Sequence, residues 1–463
     1  MATVYWFGGT GDWSDQANHW SNNSGNSPAS LHGSVPGEDD NVIFDANSFS
    51  GASQVVTVGS TLVECNNINF TGATGNPVLD ATSASFYVYG NITLISGMSV
   101  SCDDVWFINV YGEGTHYLNF AGINLSGLDF YSEGGDIVLT GDMDATGGTS
   151  QESYIEFGSG TLDTDGYDVK TGGWFECYDA TALSLGDSII TLNGEITGTA
   201  YFEGPGTGTF DCGTSTIVFD IDTLGGESNT YLYSECGNVF YNIWVKNSGD
   251  AGVPFYEGTY NEIKIDEECS ALFNGTITVS SLVANGSLGK FATLNSYYSD
   301  VGDILDWDVN ALGSGYTVDD LLVISGGNDK SYIGIYEVDE DGVPTGYYYD
   351  SEGGLGYSVS NNVSTSGGTG SGFTINITEV GPLQFTLSKS SGVVSCDYLD
   401  LSNSLATGGA RWYAGAHSNN TTGNSGWVFS SYNLKSYNTN LAANIKTICT
   451  NAIANTKTLN TNS

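Results

Sequence analysis

The phrases GDSIITL at 186–192 and GTSTIVF at 213–219 decide the fold. Each opens on glycine and then alternates polar or β-branched residues with apolar ones, the period-two pattern of a strand with one buried face. Related phrases recur as GNITL at 90–94, GDIVL at 135–139 and GTITV at 275–279. Gly186 and Gly213 lie twenty-seven residues apart, and the other gaps are irregular. No helical pattern intervenes, so the recurrence predicts coils of a parallel β-helix, with a β-sandwich on long loops as runner-up. In such a solenoid, inward Ile, Val, Leu, Phe and Cys stack in ladders while outward Asp, Ser and Thr meet solvent. The expected fold class is all-β: a predominantly right-handed parallel β-helix with an inserted small β domain and a C-terminal repeat tail.

Composition points the same way. The 463 residues include 64 Gly and 28 Tyr but only 7 Pro, which suits short strands joined by many tight turns. Ten Lys and Arg stand against 53 Asp and Glu, a formal charge of −43. Nothing in that balance could replace the counterions of a phosphate backbone, so nucleic acid is excluded as a direct partner. A 40% hydrophobic content argues against disorder. No apolar run approaches the ~20 residues of a membrane helix, so no membrane insertion is expected. The opening MATVYWFGGTGDW lacks a basic region and an apolar run, which predicts synthesis in a cytoplasm without a signal peptide. The eight cysteines, at 65, 102, 177, 212, 236, 269, 396 and 449, form no CxxC pair and read as small buried hydrophobes.

Charge is unevenly spread. No Lys or Arg precedes Lys170, and no Asp or Glu follows Asp400. The last sixty-three residues carry Arg411, Lys435, Lys446 and Lys457, so this +4 segment follows a body of −47. That asymmetry suggests a C-terminal segment that grips something acidic, such as another copy of the body.

Two further repeats divide the chain. GSGYTVDDLLVISGGNDKSYIGIYEV at 313–338 and GLGYSVSNNVSTSGGTGSGFTINITEV at 354–380 share a G-x-G-Y-[ST]-V start, an S-G-G turn and a strand ending in E-V. They predict a duplicated β unit, a small domain in its own right. From Asn433 an eleven-residue repeat reads NLKSYNTNLAA, NIKTICTNAIA, NTKTLNTNS. Its apolar positions Leu434, Tyr437, Leu441, Ile445, Ile448 and Ala452 would form a hendecad stripe on a helix. Asn and Thr favour helices poorly, so an extended β-like repeat is the alternative. Either form leaves a stripe that calls for self-association, with Leu434, Tyr437, Leu441, Ile445, Ile448 and Leu459 as apolar contacts and Lys435, Lys446 and Lys457 as charged ones.

YWFGGTGDWSDQANHWS at 5–21 and VPGEDDNVIFDANSF at 35–49 resemble the opening of a widespread group of tailed-bacteriophage structural proteins. Trp6, Gly8, Gly9, Trp13, Trp20, Pro36, Asp39, Asp40, Phe44 and Asp45 occupy the matching places. The segment 384–429, in particular Trp412, Tyr413, Gly415, Gly426 and Trp427, resembles that group's close. In such proteins a phrase like ATLNS, here 292–296, runs on within a few residues to one like QFTLSKSSG, here from Gln384. The separation marks roughly 297–381 as an insertion, and its Gly-Ser-Gly-Tyr-Thr repeats resemble modules of phage virion proteins. The resemblance implies a β-helical virion component: a fibre, spike or surface decoration, homotrimeric, partnered with itself and with other capsid or tail proteins.

The domains expected are an N-terminal aromatic cap or attachment segment at 1–50, a stem at 51–296, the insert at 297–381, the last coils at 382–430 and an assembly tail at 431–463. Trp6, Trp13 and Trp20 lie among turn formers and read as a cap over the open end of the solenoid, with a sugar-stacking site as the rival. D-T-D-G at 163–166 and D-E-D-G at 339–342 invite calcium, but neither continues into a full EF-hand loop, so solvated turns and no cofactor are expected. A polysaccharide depolymerase would need two carboxylates on adjacent coils; Asp397 with Asp400 and Asp103 with Asp104 are nominated by proximity alone. No catalytic set is defensible, so a non-enzymatic protein is expected. Alternation sends two of Tyr347, Tyr348 and Tyr349 to one face and one to the other; ordinary strand packing is the preferred reading, with surface recognition of a host glycan or protein as the rival, because exposed tyrosines combine area with a hydroxyl.

Overall fold

A computed structural model describes residues 2–430 except 26–29, 60–62, 83–85, 102–108, 111–113, 126–127, 131–134, 148–153, 194–198, 222–228, 249–251, 298–301, 328–330, 352–355 and 382. The chain is 54% strand and 1% helical and winds into a β-solenoid of about 14 turns. The β-sandwich alternative is therefore set aside. Cys102, Asp103, Asp104 and the whole repeat tail lie outside the described residues.

One coil shows how sequence becomes structure. Thr161–Asp163, Val169–Thr171 and Trp174–Glu176 form its three strands, and the next coil repeats them as Ala182–Ser184, Ile189–Leu192 and Thr199–Glu203. Parallel pairing brings Leu162 over Leu183, Val169 over Ile190 and Phe175 over Phe202. Each of these side chains is buried, and each stabilises the stack by about 1.5–3 kcal/mol. The glycines that open the deciding phrases earn their place at the turn. Gly186 and Gly213 both hold positive φ, and a Cβ on Gly213 would lie 2.1 Å from the carbonyl oxygen of Gly186. Only glycine lets successive coils approach so closely there.

Beyond Tyr233 the coils change shape. Long strands Asn238–Ser248, Gly258–Ile265 and Thr276–Ala284 stack on one another, each coil closing through a short strand, Val253–Phe255, Ser270–Phe273 or Ala292–Ser296. Ile277 then pairs with Leu387, and Ala292 with Leu399, so the next coil of the stack arrives more than a hundred residues later.

Between those partners sits an antiparallel sheet. Its six strands run in the order Ile304–Ser314, Ser371–Val380, Ser360–Ser366, Leu321–Ile324, Ser331–Val338 and Pro344–Ser351. It has its own core, including Ile324, Ile333, Ile335, Phe373, Ile375 and Ile377. The two Gly-Tyr repeats interlock. The Tyr316 hydroxyl accepts from the Phe373 amide at 3.0 Å, while the Tyr357 hydroxyl accepts from the Ser331 amide at 3.2 Å and donates to the Ile324 carbonyl at 3.1 Å. Each repeat's buried tyrosine thus reaches the strand that closes the other repeat.

Candidate functional site

The strands Tyr154–Phe157, Trp174–Glu176, Thr199–Glu203 and Asn229–Tyr233 stack in register on one side of the solenoid. Each carries an aromatic residue, an apolar residue and then an acid or tyrosine: Tyr-Ile-Glu at 154–156, Trp-Phe-Glu at 174–176, Tyr-Phe-Glu at 201–203 and Tyr-Leu-Tyr at 231–233. Period-two alternation turns the middle residues inward, and Ile155, Phe175, Phe202 and Leu232 form a buried ladder. Trp174, Tyr201 and Tyr231 flank it as one column, and Glu156, Glu176 and the buried Glu203 as another.

The first column is aromatic. Trp174 and Tyr201 have ring centroids 5.7 Å apart, and Tyr201 and Tyr231 stack at 4.4 Å with planes within 6°. The rings continue across the next coils through Tyr256, 6.4 Å from Tyr231, to Tyr297, 5.8 Å further. Trp174 and Tyr297 are 43% and 41% exposed. The second column is acidic: Glu156 pairs in register with Glu176, and Glu176 with Glu203. Neighbouring strands lie about 4.8 Å apart, so three carboxyl groups rise one above another at that pitch. Burial, with Glu203, Glu156 and Asp179 nearby, pushes Glu176 up to about 7. The Tyr201 hydroxyl donates to Glu203 Oε2 at 2.7 Å. Burial and that carboxylate raise the Tyr201 phenol well above its usual range. Near neutral pH, Glu176 can therefore either donate or accept a hydrogen bond, while Glu203 is held by its tyrosine.

Trp6, Trp13 and Trp20 are all buried in the first coil, packed on Phe44 and on one another. Trp20 meets Trp6 and Trp13 edge-on at 4.9 and 4.7 Å. Trp6 Nε1 donates to the Gly9 carbonyl and Trp20 Nε1 to the Trp13 carbonyl. Buried this deeply, their faces are not open to a sugar. Of the three consecutive tyrosines, Tyr347 and Tyr349 pack against the insert's core, whereas Tyr348 is 49% exposed. Tyr348 lies over Gly334, where a Cβ would come within 2.3 Å of its ring, and Tyr336 lies likewise over Gly346. The exposed pair on the insert is Tyr336 with Tyr348.

Asp397 and Asp400 do not form a pair of free carboxylates. Asp397 accepts hydrogen bonds from the Tyr398 and His417 amides and lies 2.8 Å from His417 Nδ1, contacts that hold its carboxyl below the usual range. Asp400 accepts from Thr421 instead. In the two Asp-Gly turns, Asp163 accepts from the Asp165 amide, and Asp339 from those of Asp341 and Val343. No group of three or more metal-ligating side chains occurs among the described residues. Cys65, Cys177, Cys269 and Cys396 are buried free thiols, while Cys236 is exposed. Lys170, Lys246, Lys264 and Lys290 each lie within 4 Å of an acid: Asp144, Asp220, Asp266, and Glu267 and Glu268, respectively.

Reading the residues one by one missed the two flanking columns. The signal was the aromatic–apolar–Glu tripeptide, repeated at intervals too uneven to align without the register. Compared with protein-family models, curated proteins and solved structures, the chain matches none of them.

Proposed function

We propose that the chain is a non-enzymatic, self-associating structural protein of a bacteriophage virion, a fibre, spike or surface decoration that assembles as a homotrimer. The observation that carries this reading is where the phage-like phrases fall. The opening phrase builds the first coil around Trp6, Trp13, Trp20 and Phe44, and the closing phrase builds the last described coils around Trp412 and Trp427. Between them runs a continuous stack of coils, an arrangement suited to a stiff appendage. The basic repeat at 431–463 follows directly and supplies the charge and apolar residues for assembly on an acidic body. Electron microscopy of the source particles, labelled with antibody to this chain, tests the placement. Regular labelling of capsid or tail is expected, and unlabelled particles would overturn the reading. Light scattering on the full chain should give a trimer, and on residues 1–430 a monomer.

A second reading, contact with a host-surface glycan through the insert, is favoured by Tyr336 and Tyr348, two exposed rings laid flat over glycines beside the exposed Leu321. Release of reducing ends from a polysaccharide, abolished by Glu176→Gln, would overturn the non-enzymatic part of the proposal.

A further inference from the structure

We propose that the flank bearing Trp174, Tyr201 and Tyr231 is a binding track for an extended, uncharged polysaccharide lying along the solenoid axis. This inference concerns the stem and does not depend on the insert. These rings lie outside the inward ladder of Ile155, Phe175, Phe202 and Leu232, which packs the core beneath them. Five aromatic rings, Trp174, Tyr201, Tyr231, Tyr256 and Tyr297, run neighbour to neighbour at 4.4–6.4 Å along the stack. Trp174 and Tyr297 at the two ends are exposed and the tyrosines between them half-buried, so the column presents ring surface to solvent. Aromatic side chains offer a ligand both area and a polar edge.

The column beside the rings narrows the ligand. Glu156 and Glu176, both half-buried, offer acceptors to the hydroxyl groups that a sugar chain presents along its length, while Glu203 is buried and already accepts from Tyr201. In a chain of net charge −43, the same carboxylates repel any polyanion. A protein partner fits poorly, since the centres of protein interfaces are depleted of acidic side chains, whereas here Glu176 and Glu203 stand two residues from Trp174 and Tyr201. Trp174, Tyr201 and Tyr231 follow one another in register on successive coils, and such a line of rings favours an extended polymer over a compact small molecule.

The test is affinity electrophoresis of the full chain in native gels containing hydroxyethylcellulose, mannan or alginate. Retardation by at least one of the two uncharged polymers, and none by alginate, is expected. Trp174→Ala with Tyr231→Ala should weaken it at least tenfold, with unchanged circular dichroism. Trp174→Ala alone, at a ring outside the core, should move in the same direction should the double variant fail to fold. No retardation by either uncharged polymer, retardation by alginate alone, or full retention in the folded variants would overturn the inference. If Tyr336→Ala with Tyr348→Ala abolishes retardation while the flank variants do not, the track is wrong and glycan contact through the insert stands.

Discussion

In the solenoid flank, Tyr201 and Tyr231 stand over one another at 4.4 Å because parallel register places one coil's residue above the last coil's equivalent. In the insert, Tyr316 and Tyr357 occupy equivalent places in two repeats but never stack; each is buried and bonds to the other repeat's backbone. Repetition in a parallel stack therefore makes a surface, a column that grows by one residue per turn. Repetition in an antiparallel sheet makes a closure, in which two copies complete each other. The energetics should differ accordingly. Each coil leans on its nearest neighbours, so damage to it stays local. The insert has a single small core and should respond as a unit.

The sharpest way to break this contrast is to empty a rung of the ladder. Phe175→Ala should cost about 3–5 kcal/mol. Hydrogen exchange should accelerate around residues 155–157 and 199–203, leaving 304–380 unchanged. Faster exchange throughout the insert would show that the two regions are not separable. A smaller change probes the closure. Tyr357→Phe leaves the Ser331 amide and the Ile324 carbonyl without their shared partner and should cost about 1–3 kcal/mol. Tyr316→Phe should cost no more, having one such bond to lose. Exchange should rise across both repeats in either variant; a rise confined to the mutated repeat would argue against the interlock.

The smallest effect concerns the acidic column. Glu176 titrates near 7 in the folded chain against an ordinary value of 4.5. Its contribution to stability is therefore fully present below about pH 4.5 and is lost as pH rises through 7. Glu176→Gln should melt like the parent at pH 4.5 and above it at pH 8. Solvent screening at this half-buried site holds the gain to the order of 1 kcal/mol. An equal gain at both pH values would locate the effect in packing rather than in charge.

The solenoid was legible because alternation and a leading glycine are local signals: GDSIITL and GTSTIVF each state their own buried face. The flank was not, although its tripeptides are equally local. Trp174 and Tyr201 are separated by a different interval from Tyr201 and Tyr231, so only the register shows that all three share a column. The insert's tyrosines show a similar limit. Alternation divides Tyr347, Tyr348 and Tyr349 between two faces, but the core side is set by the partner strand, where Ile333 and Ile335 point inward. Tyr336 escaped notice because its support, Gly346, comes from across the hairpin. Asp397 looked like half of an acid pair only until His417 arrived from the following turn.

The place where the insert leaves the stem has a consequence for exchange. Ile304 pairs with Val380, the Gly302 amide donates to the Gly381 carbonyl, and the Gly381 amide donates to that of Asp303. Departure and return are thus clamped side by side, while the coils they interrupt pair with each other as though nothing lay between. A clamped junction of this kind is a socket. Any module whose two termini leave on adjacent antiparallel strands could be grafted there without asking the stem to change its register, so the insert can diverge independently of the solenoid that carries it.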